Sequence, residues 1–218
     1  QVLIDMECNG NYINLEDLES VEKELTQEYY KLKSKIEKII AQVMGDTKIN
    51  LSSTEDLSKV IYSRKVQDKS IWTSMFNIGI DKRTKRAKRR PRINDRAFHE
   101  LVNKYTDPIF KTIAQQCTEC HGVGHIRRIK KDGSPFSKMS KCSKCHGQGM
   151  IFIDTEARAG FNWKANSVQD TAQGGFKTDK ETLNRIAVYA EGSLKEFIDC
   201  IVRFGALETY LNTFITGI

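Results

Sequence analysis

Two copies of the eight-residue pattern Cys-x-x-Cys-x-Gly-x-Gly constrain this chain more than any other feature. They read CTECHGVG at residues 117–124 and CSKCHGQG at residues 142–149. A spacing of two residues lets both thiolates of a pair reach one ion from a tight turn, and two such turns complete a tetrahedral sulfur shell. The sequence therefore predicts a single metal site. Its expected ligands are Cys117, Cys120, Cys142 and Cys145.

The expected metal is Zn²⁺, and the site is structural because four protein ligands leave no position for water. Between the two pairs, the segment HIRRIKKDGSPFSKMSK predicts a β-hairpin with its turn at Lys-Asp-Gly-Ser. The repeats resemble the zinc-binding repeats of DnaJ-type chaperones, which contain four of them. Two alternatives stay open: His121 or His146 as a ligand, and a redox-active dithiol in place of the metal.

The other two cysteines and the N-terminus limit the class of protein. Cys8 and Cys200 lie in the apolar contexts LIDMEC and FIDCIV and are predicted to be small buried hydrophobic residues. The first residues, QVLIDMECNG, have neither the basic flank nor the long apolar stretch of a signal peptide. No apolar run reaches the roughly 20 residues that a bilayer crossing needs. We expect no membrane association and a cytoplasmic location in a bacterial or phage-infected cell. The first residue is Gln rather than Met, which suggests a piece of a longer protein.

Positive charge is concentrated in one short run. The chain has 35 basic and 28 acidic residues, for a net charge of +7, and eight of the basic ones lie between positions 82 and 92 without an acid among them. Such a run repels itself and is expected to be a solvated arm that binds a polyanion in a salt-dependent way. The basic residues of this arm are Lys82, Arg83, Lys85, Arg86, Lys88, Arg89, Arg90 and Arg92.

Helical periodicity marks the outer parts of the chain and is weak in the middle. Residues 15–44 predict a long amphipathic helix, with Asn14 as its N-cap and Gly45 at its end. A second helix is expected from Ser53 or Thr54, a short one over residues 95–116, and further helices over 178–190 and 193–215. The expected organisation is a helical region (1–65), an insertion (66–175) with the basic arm (82–92) and the zinc module (117–149), and a second helical region (176–218).

Four segments of these outer regions resemble the thumb of family A DNA polymerases, the bacterial DNA polymerase I type. They are VLIDMECNGNYIN (2–14) with the long helix after it, INLSSTEDLSKVIY (49–62), GGFKTDKETLNRIA (174–187) and TFITGI (213–218). The resemblance implies a mainly α fold, with long antiparallel thumb-like helices and a small zinc-stabilised β-hairpin insertion. Three positions depart from the family pattern: Asp56 replaces a Gln, and Gly205 and Thr209 stand where the family has an Arg and a Lys near DNA.

The same resemblance implies a role in gripping DNA. The thumb fragment would hold primer–template duplex through its backbone, and a replication protein is a possible second partner that docks on the insertion. Catalytic aspartates and their Mg²⁺ would belong to a palm absent from this chain, so no catalytic residue is expected. The expected DNA-binding residues, besides the basic arm, are Asn50, Ser52, Ser53, Thr54, Lys177 and Thr178.

A different class of function fits part of the same sequence. The chain could be a stand-alone zinc-finger adaptor for nucleic acid, or a co-chaperone-like module with helical arms. A co-chaperone of the DnaJ type would also carry a His-Pro-Asp motif and two further repeats, and the sequence has neither.

Overall fold

The computed structural model describes residues 15–131 and 133–215. The block at residues 2–14, the N-cap Asn14, Cys8 and the last three residues of TFITGI lie outside the described residues.

Two long helices pack against each other in antiparallel orientation. Helix α1 (Leu15–Met44) ends where Gly45 adopts a left-handed conformation with φ of 72°, as its sequence predicts. Helix α6 (Gly192–Thr209) lies along it, and the rings of Tyr29 and Phe204 stack with their centroids 4.7 Å apart. Glu28 pairs with Arg203, and Lys35 pairs with Glu196, each with an N···O distance of 2.7 Å. Because these exposed pairs contribute little, the buried apolar face holds the two helices together.

Four shorter helices complete the helical part. They are α2 (Thr54–Tyr62), α3 (Lys69–Met75), α4 (Asp95–Tyr105) and α5 (Lys180–Tyr189), followed at the end of α6 by a π-helical turn (Tyr210–Ile215). Side chains cap the first turn of α2 to α5, because Ser53, Asp68, Asn94 and Asp179 accept hydrogen bonds from backbone N–H groups there. Among the described helices, none combines the length and apolar character needed to cross a membrane.

Within the described residues, eight strands pair into four antiparallel two-stranded sheets. The pairs are β1 (Arg64–Val66) with β2 (Thr106–Pro108), β3 (Phe110–Gln116) with β6 (Met150–Arg158), β4 (His125–Ile126) with β5 (Ser140–Lys141), and β7 (Thr171–Ala172) with β8 (Gly175–Phe176). A 3₁₀ turn (Val168–Asp170) precedes β7.

The mainly α prediction is wrong, because the described residues form a mixed α/β structure of helices and short antiparallel sheets. The helix predicted over 95–116 ends at Tyr105, and residues 110–116 instead form β3. Pro108 cannot donate a backbone hydrogen bond, which breaks the helix, and β3 gains its partners from β6 far along the chain. The mainly α prediction was based on the helical periodicity of the outer regions, which contains no information about the pairing of β3 with β6.

One hydrophobic core unites most of the chain. It contains Ile36 from α1, Ile61 from α2 and Phe197 from α6, and also Trp72 and Phe98, which lie within the segment predicted to be an insertion. The zinc module is different, because its buried cysteines form a separate cluster with only Ile126 and Ile151 packed against it. The module therefore joins the rest of the molecule through the β3–β6 ribbon.

Candidate metal centre and basic surfaces

Two tight turns bring the four cysteines together at the end of the β3–β6 ribbon. The first turn begins directly after Gln116, the last residue of β3, and the second turn ends directly before Met150, the first residue of β6. Gln116 and Met150 are cross-strand partners. On the other side, His125 pairs with Lys141, so the β4–β5 hairpin holds the exit of the first turn beside the start of the second. The pairing of strands thus fixes both ends of both turns.

The sulfur atoms have the separations of a tetrahedral site. Cys117 Sγ lies 3.7 Å from Cys142 Sγ, and Cys120 Sγ lies 3.5 Å from Cys145 Sγ, while all four lie within 4.8 Å of one another. A tetrahedron with metal–sulfur bonds of about 2.3 Å has sulfur–sulfur edges of about 3.8 Å. All four side chains are buried and free of disulfides. The four cysteines predicted from the spacing therefore come together, and they could hold a metal ion such as zinc.

Backbone hydrogen bonds relate the two turns by an approximate two-fold symmetry. The N–H of Cys117 donates to the carbonyl oxygen of Gly149, and the N–H of Cys142 donates to that of Gly124, both at 2.9 Å. The N–H groups of Gly124 and Gly149 also donate to Cys120 Sγ and Cys145 Sγ at 3.2 Å. Such donors stabilise negative charge on sulfur, which favours the thiolate form that binds a metal.

Only glycine fits at the last position of each repeat. A Cβ atom on Gly124 would fall on the carbonyl oxygen of Gly147, and one on Gly149 would fall on that of Gly122. Both glycines also have left-handed backbones, with φ of 79° and 76°. The Cys-x-x-Cys-x-Gly-x-Gly pattern therefore encodes the close approach of the two turns as well as the ligands.

The immediate surroundings of the sulfurs explain their acidity. Burial raises the pKa of Cys142 to about 12, and the Cys142 thiol donates to the Glu119 carboxylate at 3.2 Å. Burial also opposes ionisation of Cys145, but hydrogen bonds from the N–H groups of Gly149 and Gly147 and from the sulfurs of Cys120 and Cys142 together outweigh it and lower the pKa of Cys145 to about 7. The contact of Glu119 with Cys142 could not be predicted, because nothing in the spacing shows that Glu119 faces the other pair.

The two histidines next to the ligands are not members of the cluster. His121 and His146 are exposed and have left-handed backbones, with φ of 48° and 51°. The group that could hold a metal ion consists of the four cysteines. The alternative in which His121 or His146 is a ligand therefore finds no support in the geometry.

The hairpin beyond the cysteines presents a dense group of positive charges. The turn predicted at residues 131–134 is confirmed by two hydrogen bonds, from Lys130 N–H to Ser134 O and from Gly133 N–H to Lys130 O. Every Lys and Arg side chain of residues 117–149 is exposed. These side chains are Arg127, Arg128, Lys130, Lys131, Lys138, Lys141 and Lys144.

The basic run at residues 82–92 folds into a closed loop, which we call the basic loop, instead of a free arm. Ile80 and Ala87 form an antiparallel bridge, and the Asp81 carboxylate accepts hydrogen bonds from the N–H groups of Arg83 and Thr84 at 2.9 and 2.8 Å. This fixed loop holds six predicted DNA-binding side chains in exposed positions. They are Arg83, Lys85, Arg86, Lys88, Arg89 and Arg92.

Arg90 is the exception in the basic loop, because its guanidinium turns inward. It donates to Phe76 O at 3.3 Å, to Thr171 Oγ1 at 2.9 Å and to Thr171 O at 3.1 Å. Burial lowers the pKa of Arg90, though the group stays fully charged at neutral pH. Its hydrogen bonds tie the basic loop to the β7–β8 hairpin.

The predicted phosphate site at residues 50–54 is rich in internal hydrogen bonds. Ser53 caps α2 by accepting from Asp56 N–H at 3.3 Å, and Asn50 receives and donates bonds within the same loop. Two carboxylates lie close, because the N–H of Asn50 reaches Asp56 Oδ2 and Ser52 Oγ lies 3.5 Å from Glu208 Oε1. The arrangement has the capping geometry predicted for Ser53, and the neighbouring acids weaken it as an anion site.

The second predicted pair, Lys177 and Thr178, does lie beside this loop. Thr178 is buried and its hydroxyl donates to Thr54 O at 3.3 Å, while Lys177 O accepts a hydrogen bond from the Tyr62 hydroxyl at 3.2 Å. The structure thus brings residues 54 and 178 together across 124 positions of sequence. These contacts are structural, since they join α2 to the segment before α5.

No protein-family model, curated protein or solved structure matches this chain significantly. The site must therefore be interpreted from its own geometry.

Proposed function

We propose that this chain binds nucleic acid through the sugar–phosphate backbone, using the zinc module and the basic loop as contact regions. The observation that carries the proposal is the group of seven exposed basic side chains on the zinc module, where Glu119 and Asp132 are the only acids. A Zn²⁺ ion with four thiolates has a net charge of −2, so the loaded module stays cationic. Rigid clusters of Lys and Arg are the usual means of holding phosphates.

The metal has a structural role in this proposal. The four cysteines supply the ligands, and their backbone contacts fix the distance between the two turns. Zinc binding would order the hairpin that carries the basic side chains, because a module of this size has almost no apolar core of its own. No step of chemistry is assigned to the metal.

The basic loop supplies the second contact region. Seven of its eight basic side chains are exposed on a backbone fixed by Asp81, and the eighth, Arg90, anchors the loop to the body. A preorganised loop loses less conformational entropy on binding than a free arm would. The proposal assigns less weight to residues 50–54, because Asp56 and Glu208 lie among them.

Primer–template DNA is the ligand that the resemblance to family A polymerase thumbs favours. In that interpretation the chain prolongs the residence of duplex DNA, and the palm of the parent enzyme, with its Mg²⁺ ions, carries out nucleotide transfer. The stand-alone zinc-finger adaptor remains the alternative, and both require the same backbone contacts. A cytoplasmic location accompanies the proposal, since the thiols must stay reduced to bind zinc.

A protein partner on the zinc module is a second candidate, supported by one observation. The module exposes large apolar side chains: Val123 at 65%, Ile129 at 70% and Met139 at 52% exposed. Exposed apolar groups beside cations are typical of surfaces that bind proteins. A replication protein docked there would fit the polymerase interpretation.

The salt dependence of DNA binding tests the main proposal. In one variant, four module residues (Arg127, Arg128, Lys130 and Lys131) are changed to Gln, and in another, four loop residues (Arg83, Lys85, Arg86 and Lys88) are changed to Gln. The control changes four exposed helical lysines to Gln, namely Lys23, Lys31, Lys38 and Lys195. All three variants lose the same charge.

We expect both test variants to bind a labelled primer–template more weakly and with a flatter plot of log affinity against log salt. Each lost phosphate contact reduces the slope by about 0.9. The control should keep the slope of the unmodified chain. Equal losses in all three variants would show that only net charge matters, and absence of binding to duplex at low salt would refute the proposal.

A further inference from the structure

A cavity on the body of the molecule, lined by residues outside both basic surfaces, has the composition of an anion site. It has a volume of about 410 Å³, within the usual range for small-molecule pockets. Its walls come from the end of α2, from β1, from α4 and from residues 158–165. Four of its lining residues are basic or imidazole side chains, and we call it the cationic pocket. They are Arg64, His99, Arg158 and Lys164.

The charges of the cationic pocket are not neutralised by the protein. None of the residues that line it is Asp or Glu, and within residues 15–131 and 133–215 no ion pair involves Arg64, Arg158 or Lys164. Arg64 is held in place by hydrogen bonds to Thr106 Oγ1 at 2.9 Å and Asn103 Oδ1 at 2.6 Å. Burial, together with the nearby charge of Arg158, lowers the pKa of Arg64. Bringing these like charges together costs energy that a bound anion would recover.

The inner wall of the cationic pocket is aromatic. Tyr62 and Phe176 stack with ring centroids 4.5 Å apart, and Trp163 lies half-buried beside them. The amides of Asn103 and Asn162 also line the cavity. Flat aromatic surface next to cations and amides is what a nucleobase joined to a phosphate requires, because the base can stack while the phosphate meets the positive charges.

We infer that the cationic pocket binds a nucleoside phosphate, with its phosphate group at Arg64, Arg158 and Lys164 and its base against Trp163. The ligand is either a free nucleotide or the terminal nucleotide of a strand, since both present the same chemistry. The inference is independent of the proposed function, because duplex binding through the zinc module could fail while this pocket still takes a nucleotide.

The two tryptophans make the inference measurable in the metal-loaded full chain. The Trp72 indole N–H donates to Ala172 O at 3.0 Å and Gly175 O at 3.1 Å inside the core, whereas Trp163 lines the pocket. In a ¹⁵N-labelled sample the two indole signals can be followed during titration. The probes are adenosine 5′-monophosphate, adenosine, inorganic phosphate and a single-stranded, 5′-phosphorylated pentanucleotide.

We expect adenosine monophosphate to shift the Trp163 signal with a dissociation constant of about 1 mM or lower, and to leave the Trp72 signal in place. Adenosine and phosphate should each bind at least tenfold more weakly. A response to the pentanucleotide alone would identify the strand end as the ligand and support the inference. Equal binding of phosphate and nucleotide, or no shift with any probe, would overturn it.

Two double variants that lose the same charge distinguish the contribution of the pocket cations to nucleotide binding from the effect of net charge. Arg158→Gln with Lys164→Gln removes two exposed cations that line the cavity, and Lys31→Gln with Lys38→Gln removes two exposed cations of α1 that do not. The pocket variant should bind the nucleotide at least tenfold more weakly, with an unchanged thermal melt. The α1 variant should bind as the unmodified chain does, and equal weakening in both variants would overturn the inference.

Discussion

Arg90 donates two hydrogen bonds to Thr171, one to the hydroxyl oxygen at 2.9 Å and one to the carbonyl oxygen at 3.1 Å. Within a run of eight basic residues, this one therefore serves the fold. The relationship spans 81 positions of sequence and connects the basic loop to the β7–β8 hairpin.

Replacing Arg90 should affect stability, whereas replacing its exposed neighbour should not. We expect Arg90→Gln to lower the free energy of unfolding by about 2 kcal/mol, because charged hydrogen bonds to Thr171 and Phe76 are lost. Arg89→Gln should change it by less than about 0.5 kcal/mol. Urea unfolding followed by tryptophan fluorescence measures both changes. Equal stability of the two variants would contradict the role of Arg90.

Metal removal should unfold the zinc module and leave the body folded. The module contains seven basic residues that trypsin can cleave, whereas both tryptophans of the chain lie outside it. After chelation we expect rapid cleavage between residues 127 and 144, with unchanged tryptophan emission. Metal analysis should find one ion per chain, none in Cys142→Ser and one in the control Cys200→Ser, which changes a cysteine of α6. Resistance of the chelated chain to trypsin would refute a structural metal.

Alanine substitutions at two neighbouring glycines distinguish the effect of a left-handed backbone on metal affinity from the effect of a steric clash between the two turns. Gly147 and Gly149 both have left-handed backbones, with φ of 88° and 76°. A Cβ on Gly147 would meet only the flexible Lys141 side chain at 3.5 Å, whereas one on Gly149 would fall on Gly122 O. Competition with a coloured chelator should therefore show at least tenfold weaker metal binding for Gly149→Ala than for Gly147→Ala. Similar affinities would mean that the two turns can move apart.

The N-cap of α5 should give a small, pH-dependent contribution to stability. Burial opposes ionisation of Asp179, but the hydrogen bonds from Thr182, including the one from its N–H at 2.9 Å, and the charge of Lys177 together outweigh burial and lower the pKa of Asp179. A carboxyl with a lowered folded pKa stabilises the fold above its unfolded pKa of about 3.9 and loses that effect as the pH falls through the folded value.

Asp179→Ala should therefore cost about 1 kcal/mol at pH 7. Asp179→Asn keeps the capping oxygen without the charge and should cost less. The difference in stability between the unmodified chain and Asp179→Asn should shrink between pH 6 and pH 3, as measured by urea unfolding at each pH. A difference that stays constant with pH would exclude a charge effect.

The sequence predicted the features that depend on local spacing. The four sulfur ligands, the turn near Gly133 and the extent of α1 follow from patterns within a few tens of residues, and all three agree with the structure. Each of them is decided by neighbours along the chain. Local patterns were therefore sufficient for the metal site and the long helix.

Features that depend on distant partners could not be predicted. Residues 110–116 continue a helical segment in the sequence, and only pairing with residues 150–158 makes them a strand. The Arg90 side chain points inward because it donates hydrogen bonds to Thr171. The cationic pocket likewise depends on Arg64 and Arg158 lining the same cavity. In each case the deciding contact lies more than about 30 residues away, beyond the reach of periodicity or spacing.

The pairing of Gln116 with Met150 has a consequence for the evolution of the chain. Because these two residues face each other across an antiparallel ribbon, the whole stretch between them leaves and re-enters the body at one point. A short β-turn could replace it without displacing any residue of the main core. The stretch that contains the four cysteines could thus be deleted or exchanged genetically as one unit, while the remaining polypeptide keeps its architecture.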